Sequence, residues 1–192
     1  MKKILTSALA FSVSVGLLTS IDLKDAQAAE KDYVRLSGKD RLDTAIQISK
    51  TGWPTGLTSS EKSVILARSD NPVDALSAAS LAGVKDAPIL LTNTGSLDSR
   101  VLSEINRLGA KKVYVLGSTG AISDSVENTL KANNKSVTRL SGANRFDTAK
   151  KINEEAGTSK NTSAIVVNGD TVVDALSATS ESAINKVPIY LT

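Results

Sequence analysis

Residues 35–45 read RLSGKDRLDTA, and the same pattern returns as RLSGANRFDTA at residues 139–149. We expect each copy to contain a strand, a tight turn and a helix. In the first copy, these are a strand over Tyr33–Leu36 and a helix over Arg41–Lys50, where apolar residues recur at near-helical spacing. The Ser-Gly pair between strand and helix predicts a turn in which glycine adopts a positive φ.

Two further blocks recur in the same order. DALSA at residues 74–78 returns at residues 174–178, and PILLT at residues 88–92 returns as PIYLT at residues 188–192. Three ordered blocks at nearly constant spacing indicate that one structural unit occurs twice in the chain.

Between these blocks, short apolar runs alternate with amphipathic segments of ten to a dozen residues. This order predicts an α/β fold of tandem Rossmann-like parallel-sheet repeats, with helices on both faces of the sheet. The second repeat is shorter, because it has no counterpart of residues 97–133, and we expect the natural protein to continue. The predicted strands are Ser63–Ala67, Ala87–Thr92 and Lys112–Leu116, and the predicted helices are Val73–Val84, Leu97–Leu108 and Ser123–Asn133.

The N-terminus has the features of an export signal. Two lysines follow Met1, a mostly apolar run extends over Ile4–Ile21, and AQA at residues 26–28 provides small residues at a cleavage site. Because serine and threonine interrupt the run and charges follow it, a cleaved signal is favoured over a membrane anchor. We therefore divide the chain into a signal (1–28), a first repeat (29–135) and an incomplete second repeat (136–192), and expect no membrane contact after cleavage.

The composition of the chain excludes several classes of function. Cysteine and histidine are absent, which rules out thiol nucleophiles, disulfides, Cys/His zinc sites and a Ser-His-Asp triad. The net charge is only +3 and no basic run occurs, so a nucleic-acid partner is not expected. We expect neither a metal site nor a cofactor. Export without cysteine fits the surface of a Gram-positive cell.

The repeated blocks resemble the cell wall-binding repeat 2 family of Gram-positive bacteria. The match rests on the RLSG…R-x-DTA, DALSA and PILLT blocks, and on the segment 110–123, AKKVYVLGSTGAIS, in which Ser118 replaces a common glycine. The resemblance implies a non-catalytic α/β module, usually in three copies, that holds surface proteins to anionic wall polymer or peptidoglycan. It also implies fusion to further repeats, to an adhesin or to an autolysin of the N-acetylmuramoyl-L-alanine amidase type.

Most of the recurring acidic residues suit the first turn of a helix. An aspartate or asparagine at the N-cap, followed three residues later by an acidic residue, satisfies free backbone N–H groups. Asn71 as N-cap with Pro72 at the first position would start another helix in this way. The residues expected to have this structural role are Asp40, Asp43, Asp74, Asn144, Asp147 and Asp174.

A second group of residues is expected at the rim where parallel strands end, which is the usual location of ligands in such sheets. Arg41 and Arg145 would each suit a phosphate or carboxylate of a wall polymer. Equally, they would suit ion pairs with Asp74 and Asp174, or a contact between repeats. The polymer-binding candidates are Ser37, Gly38, Arg41, Asp70, Asn71, Thr92, Ser141, Gly142, Arg145 and Asp170, with Thr192 at the same rim.

Three functions are consistent with these features. The first is a secreted, non-catalytic wall-attachment module, including the targeting part of an amidase or its enhancer whose catalytic domain lies outside this chain. The second is a cell-surface scaffold module that dimerises through an exposed sheet edge. The third is an enzyme in which Asp70 and Asp74 form an acid/base pair, although a tandem copy of a catalytic pair would be unusual.

Overall fold

The computed structural model describes residues 34–192, except for the side chain of Val172. The chain divides into residues 1–35 and a compact unit, Leu36–Thr192, and the fold described below is that of the compact unit. The signal expected at residues 1–28 lies outside the described residues, as do residues 29–33 of the expected first repeat.

Helices and strands alternate throughout the compact unit, as expected for an α/β fold. A short 3₁₀ helix, Thr158–Lys160, lies in the second repeat. The elements are α1 (Arg41–Gly52), β1 (Ser63–Arg68), α2 (Val73–Ser77), α3 (Ala79–Lys85), β2 (Ile89–Thr92), α4 (Ser99–Arg107), β3 (Lys112–Leu116), α5 (Asp124–Ala132), β4 (Ser136–Leu140), α6 (Arg145–Glu155), β5 (Ile165–Val167), α7 (Val172–Asn185) and β6 (Ile189–Leu191).

The larger sheet has four parallel strands in the order β2-β1-β3-β4. Its central strand β1 is apolar without alternation because helices cover both faces. Val64 and Leu66 pack into a core with α1, α4 and α5. Ile65 and Ala67 point to the opposite core, which contains residues of α3 and, from the second repeat, Ile152 of α6. The prediction of a parallel sheet with helices on both sides is therefore confirmed.

The smaller sheet consists of β5 and β6, which pair in parallel. Its core joins Val167, Ile189 and Leu191 to Ala149 of α6 and to Ala79 of α3. Helix α7 lies close to α3, where a side chain at Gly83 would collide with the backbone of Ala183. The two repeats therefore pack directly against each other.

Strand β4 links the two repeats in a way that the repeat pattern did not indicate. In sequence it opens the second repeat, yet it pairs with β3 in the first sheet, with Val115 opposite Arg139 and Leu116 opposite Leu140. The expected boundary between residues 135 and 136 thus separates the sequence repeats, while the four-stranded sheet extends one strand beyond it. Where the structural domains divide stays a prediction.

Two predicted elements differ from the structure. Residues 34–36 of the expected first strand are not in a strand. Their counterpart β4 pairs with β3 of the preceding repeat. The helix expected over Val73–Val84 is divided at Ala78, whose N–H donates to Ala75 O (3.2 Å) in a tight 3₁₀-type turn.

A polar cluster ties α6 to the first sheet at the opposite end from the strand carboxyl termini. The Tyr114 hydroxyl oxygen lies 2.8 Å from Glu61 Oε1 and 2.7 Å from Glu155 Oε1. Lys112 Nζ donates to both Tyr114 and Glu61 at 2.8 Å. Burial and the two carboxylates raise the pKa of Tyr114. Because Glu155 belongs to α6, this cluster is a second contact between the repeats.

None of the helices within residues 34–192 has both the length and the apolar character needed to cross a membrane.

Candidate functional site

The two RLSG turns have the same local structure. Gly38 N donates to Thr44 Oγ1, and Gly142 N donates to Thr148 Oγ1, both at 3.0 Å. Each threonine hydroxyl in turn donates to the carbonyl of the helix N-cap residue at 2.9 Å. The duplication seen in the sequence is therefore also a duplication of structure.

These turns require glycine because a Cβ at this position would collide with the helix that follows. The expectation of a positive φ was wrong, since neither Gly38 nor Gly142 is among the residues with positive φ. Instead, a Cβ at Gly142 would lie 2.5 Å from Asp147 C and from Thr148 N, and the turn at Gly38 is equally tight. The turn packs directly on the backbone of the helix that follows it.

The helix starts of α1 and α6 are capped by side chains. Asp40 Oδ1 accepts from Asp43 N (2.8 Å), and Asn144 Oδ1 accepts from Asp147 N (2.9 Å). Asp43 Oδ2 also accepts from Lys39 N at 3.0 Å. The hydrogen bond from the Asp43 N–H, together with Arg100, lowers the pKa of Asp40.

The two repeated arginines hold neighbouring loops. Arg41 Nη1 donates to Ser69 O at 2.7 Å, and Arg145 Nη1 donates to Gly169 O at 2.6 Å. Arg145 Nη1 also lies 3.3 Å from Asp170 Oδ1. These loops follow β1 and β5, so each arginine fixes the rim of its own repeat. Among the described residues, Arg145 pairs with Asp170, and neither arginine pairs with Asp74 or Asp174.

A polar cleft of about 230 Å³ lies at the carboxyl ends of β1, β3 and β4. The chain passes from β1 to β2 on one side, while β3 lies on the other, so this is the topological switch point of the sheet. Both repeats contribute to the walls. The polar residues that line it are Arg68, Asn71, Asp74, Ser118, Asn144, Arg145 and Thr148, and Gly117 and Gly142 line it through their backbone.

Asp74 is the cleft residue whose environment differs most from expectation. The helix-capping role expected for it is absent: α2 begins at Val73 with Pro72 at its N-cap and has no side-chain cap hydrogen bond. The half-buried carboxylate instead lies beside Gly117, where a Cβ would be 2.8 Å from Asp74 Oδ2. Burial raises the pKa of Asp74, and the charges of Arg68 and Arg145 oppose this rise only in part.

The counterpart Asp174 has a different environment. It is exposed in the first turn of α7, and Thr171 at the N-cap makes no side-chain cap hydrogen bond. The two aspartates of the DALSA blocks are therefore equivalent in sequence and unlike in structure.

Arg68 was not among the residues that the sequence suggested. It ends β1, and its Nε and Nη2 donate to both carboxylate oxygens of Asp70 at 2.7 and 2.8 Å. This pair holds the pKa of Asp70 at about 2. The repeat comparison could not find Arg68, because Asn168 stands at the equivalent position.

Arg139, the arginine of the second RLSG block, fixes the cleft wall that follows β3. It donates to Gly117 O and Ile122 O, each at 2.7 Å, and its Nε donates to Glu127 Oε1 at 2.6 Å. Because Arg139 belongs to the repeated RLSG block, comparison of the two repeats could have identified it from the sequence. The contact positions Gly117 and Ser118 beside Asp74.

The structure brings together only some of the candidate residues. Asn71, Gly142 and Arg145 line the cleft, with Asp74 and Asn144 from the group expected to be structural. Asn71 Oδ1 accepts from Val73 N at 3.2 Å, in place of the N-cap role expected for it. The candidates that do not line the cleft are Ser37, Gly38, Arg41, Asp70, Thr92, Ser141 and Asp170, as well as Thr192 at the end of β6.

A larger depression of about 370 Å³ lies between α1 and α4. Both of its arginines are bonded to carboxylates: Arg107 to Glu104, and Arg100 to Asp40 and Asp98. Within residues 34–192, no group of three acidic side chains is placed to hold a metal ion. The switch-point cleft is therefore the strongest candidate for ligand binding.

Known proteins resemble this chain over most of its length. Residues 35–127 and 139–192 match the family described as cell wall binding domain 2. The chain is 34% identical to the N-acetylmuramoyl-L-alanine amidase LytC of Bacillus subtilis, over 85% of this chain and 32% of that protein. It is 33% identical to the amidase enhancer of the same organism, over 82% of this chain and 21% of the enhancer. The chain thus spans a third or less of either relative.

Two solved structures are similar to this chain. Cwp8 from Clostridium difficile superposes with a TM-score of 0.77 at 35% identity, covering 89% of this chain and 29% of that one. Cwp6 from the same organism gives a TM-score of 0.72 at 30% identity, covering 86% of this chain and 27% of that one. The likeness extends over both repeats.

Proposed function

Since this chain belongs to the cell wall binding domain 2 family, we propose that it attaches its parent protein to the wall by binding an anionic wall polymer in the switch-point cleft. Binding to the wall, and location at the wall or cell surface, follow from the family. The proposal concerns the polymer and the cleft.

The observation that carries the proposal is the presence of two guanidinium groups in one cleft. Arg68 comes from the first repeat and Arg145 from the second, and the third charged residue in the lining is Asp74. Each guanidinium is paired with an aspartate outside the lining, Asp70 or Asp170, so the cleft offers positioned N–H donors rather than a net positive charge. A guanidinium group is suited to a phosphate or carboxylate because it presents a planar set of donors.

Within the part of the chain that the structure describes, both arginines have N–H groups that bond no other residue. A guanidinium has five N–H donors. Arg68 uses Nε and Nη2 on Asp70, which leaves Nη1, and Arg145 uses Nη1 on Gly169 and Asp170, which leaves Nε and Nη2. The existing bonds hold both groups in place, so an anion would meet side chains that are already positioned.

Such a shallow site binds weakly by itself. Along a repetitive polymer, several weak sites in one protein act together and raise the overall affinity without new contacts. Because the contacts are ionic and partly exposed, retention on walls should fall as salt is added.

The test is sedimentation with purified Gram-positive walls, before and after removal of their anionic polymers. We expect the wild-type protein to sediment with native walls, and Arg68→Gln to sediment less. Lys160→Gln is the matched control, because it removes the same charge from an exposed residue of the 3₁₀ helix outside the cleft lining. Equal retention on stripped walls, or equal retention of Arg68→Gln and wild type, would contradict the proposal.

We further propose that this chain has no wall-hydrolase activity, and that it targets a catalytic domain elsewhere in its parent protein. The relatives named amidase and amidase enhancer support this, as each is far longer than the match. An acid/base pair of Asp70 and Asp74 is disfavoured because Asp70 is bound by Arg68 and has a pKa of about 2. Clearing of peptidoglycan by this chain in a zymogram would contradict the proposal.

A scaffold role remains the second candidate, and one observation favours it. Helix α7 exposes three aliphatic side chains, Val173, Leu176 and Ile184, each more than 60% accessible. Exposed apolar groups of this kind mark contact surfaces. Sedimentation equilibrium distinguishes the two, since a scaffold would self-associate without wall material.

A further inference from the structure

Asp74 is a half-buried carboxylate without a hydrogen-bond partner among the described residues. Only burial and the charges of Arg68 and Arg145 act on it. The buried side-chain atoms that lack a partner in the described residues belong to Ser59, Ser63 and Ser123 and not to Asp74. The Asp74 carboxylate is therefore partly open to the cleft, where a ligand can reach it.

The residues around Asp74 leave room for its carboxylate. Gly117 has φ +84° and packs against it, and a Cβ at that position would meet Asp74 Oδ2 at 2.8 Å and Ala121 Cβ at 2.7 Å. Arg139 fixes the carbonyl groups of Gly117 and Ile122 from the other side. The carboxylate thus lies in a preformed wall of the cleft.

The positive groups nearby are already bound to other carboxylates. Arg68 bonds Asp70, and Arg145 bonds the loop at Gly169 and contacts Asp170. The charged side chains that line the cleft are Arg68, Arg145 and Asp74 itself, and the loop after β3 contributes Gly117, Ser118 and Ala121, which do not titrate. Asp74 is therefore the charged acceptor among the lining residues.

We propose that Asp74 determines the specificity of the cleft by accepting a hydrogen bond from a hydroxyl group of the ligand, so that the cleft selects an anion whose sugar or polyol unit bears a free hydroxyl. The inference rests on the proposed function, since Arg68 and Arg145 bind the charged group. A hydroxyl and a carboxylate form a strong, charge-assisted hydrogen bond. A polyanion without hydroxyls would bring negative charge to the Asp74 carboxylate and leave it unpaired.

Sites built to bind a hydroxyl group discriminate strongly against ligands that lack it, because a buried polar group is then left without a partner. Asp74 is only half-buried, so we expect a modest preference of about tenfold for the hydroxylated ligand. The preference should weaken as the pH falls through the raised pKa of Asp74, since a neutral carboxyl group is a weaker hydrogen-bond acceptor than a carboxylate.

The test compares two synthetic polymers of equal length, a glycerol phosphate polymer and a 1,3-propanediol phosphate polymer. They have the same charge spacing and differ only in the hydroxyl group. Dissociation constants are measured by calorimetry for the wild-type protein, Asp74→Asn and Asp74→Ala. Asp174→Asn is the matched control, because it removes the same charge at the equivalent, exposed position.

We expect the wild type and Asp174→Asn to bind the glycerol polymer about tenfold more tightly than the propanediol polymer. For both Asp74 variants, we expect the ratio of the two dissociation constants to be at least threefold smaller. Asp74→Asn should also bind the propanediol polymer more tightly than the wild type does, and its ratio should not change with pH. The amide oxygen in Asp74→Asn can itself accept a hydrogen bond from the hydroxyl group. Asp74→Ala has no side-chain acceptor, so it tests the role of Asp74 in that case as well.

An unchanged ratio in both Asp74 variants, or the same change in Asp174→Asn, would overturn the inference. If the wild type binds both polymers equally while Arg68→Gln weakens both, the proposed function stands and the role of Asp74 falls. If the wild type binds neither polymer, the proposed function fails, and this inference fails with it.

Discussion

Replacing Gly142 with alanine should destabilise the protein by crowding the turn that begins the second repeat. The added Cβ would lie 2.5 Å from Asp147 C and from Thr148 N, where ordinary contact needs about 3.4 Å. Both neighbours are backbone atoms of α6, so no side-chain rotation relieves the contact. The turn must move away from the helix instead.

The magnitude follows from what that movement breaks. Crowding of this kind costs about 1–3 kcal/mol. Moving the turn also strains the bond from Gly142 N to Thr148 Oγ1, beside the cap in which Asn144 accepts from Asp147, and a lost helix cap costs about 1 kcal/mol. We therefore expect a loss of about 2–4 kcal/mol in the free energy of unfolding, and a fall of about 5–10 °C in Tm for a domain of this size.

Urea and thermal denaturation followed by circular dichroism measure this change. Gly95→Ala is the matched control, because a Cβ at Gly95 meets nothing within 4 Å and its φ is not positive. That variant should differ from the wild type by less than about 0.5 kcal/mol. Gly38→Ala tests the first copy of the turn and should resemble Gly142→Ala.

Equal stability of Gly142→Ala and Gly95→Ala would refute the steric explanation of the RLSG turn. A large loss for one repeat glycine and none for the other would contradict the structural equivalence of the two turns, on which the duplication argument depends.

Three further predictions concern the contacts that join the repeats. Tyr114→Phe removes the hydroxyl between two carboxylates and should lower the free energy of unfolding by about 1–2 kcal/mol, as measured by urea denaturation. Burial alone would raise the pKa of Glu61, but bonds from Lys112, Tyr114 and Lys85 outweigh it and lower the pKa from 4.5 to about 2. The stabilisation from Glu61 is then complete above pH 4.5 and is lost as the pH falls toward 2, so Glu61→Gln should flatten the dependence of stability on pH in that range. Arg139→Lys keeps the charge but cannot make all three of its hydrogen bonds, so we expect a loss of about 1–3 kcal/mol by urea denaturation and weaker sedimentation with walls.

Features that depend on neighbouring residues were predictable from the sequence. The N-caps of α1 and α6 follow from Asp40 and Asn144 standing just before an amphipathic segment. The strands Ser63–Arg68 and Lys112–Leu116 follow from short apolar runs, and their parallel pairing follows from the helices between them. In these cases local chemistry and the global fold agree.

The cleft was not predictable, because it combines residues whose proximity only the fold determines. Asp74 stands in the first turn of a predicted helix, where an acidic residue is favourable, and this local explanation concealed its place beside Gly117. Arg68 was hidden for a different reason. Comparison of the repeats selects residues that recur, and Asn168 replaces it in the second copy.

The location of the cleft follows from the position of β4. Because β4 opens the second repeat in sequence but closes the first sheet, the turn after it, with Asn144 and Arg145, is carried to the rim of the first repeat. There it faces Arg68 and Asp74, which come from the first repeat itself. The duplicated turns are alike, whereas the residues opposite them need not be, so Arg68 and its counterpart Asn168 give the two rims different charge. Under the proposed function, chemical specificity would arise where one repeat meets the next, because the shared structure of the two turns places side chains that differ.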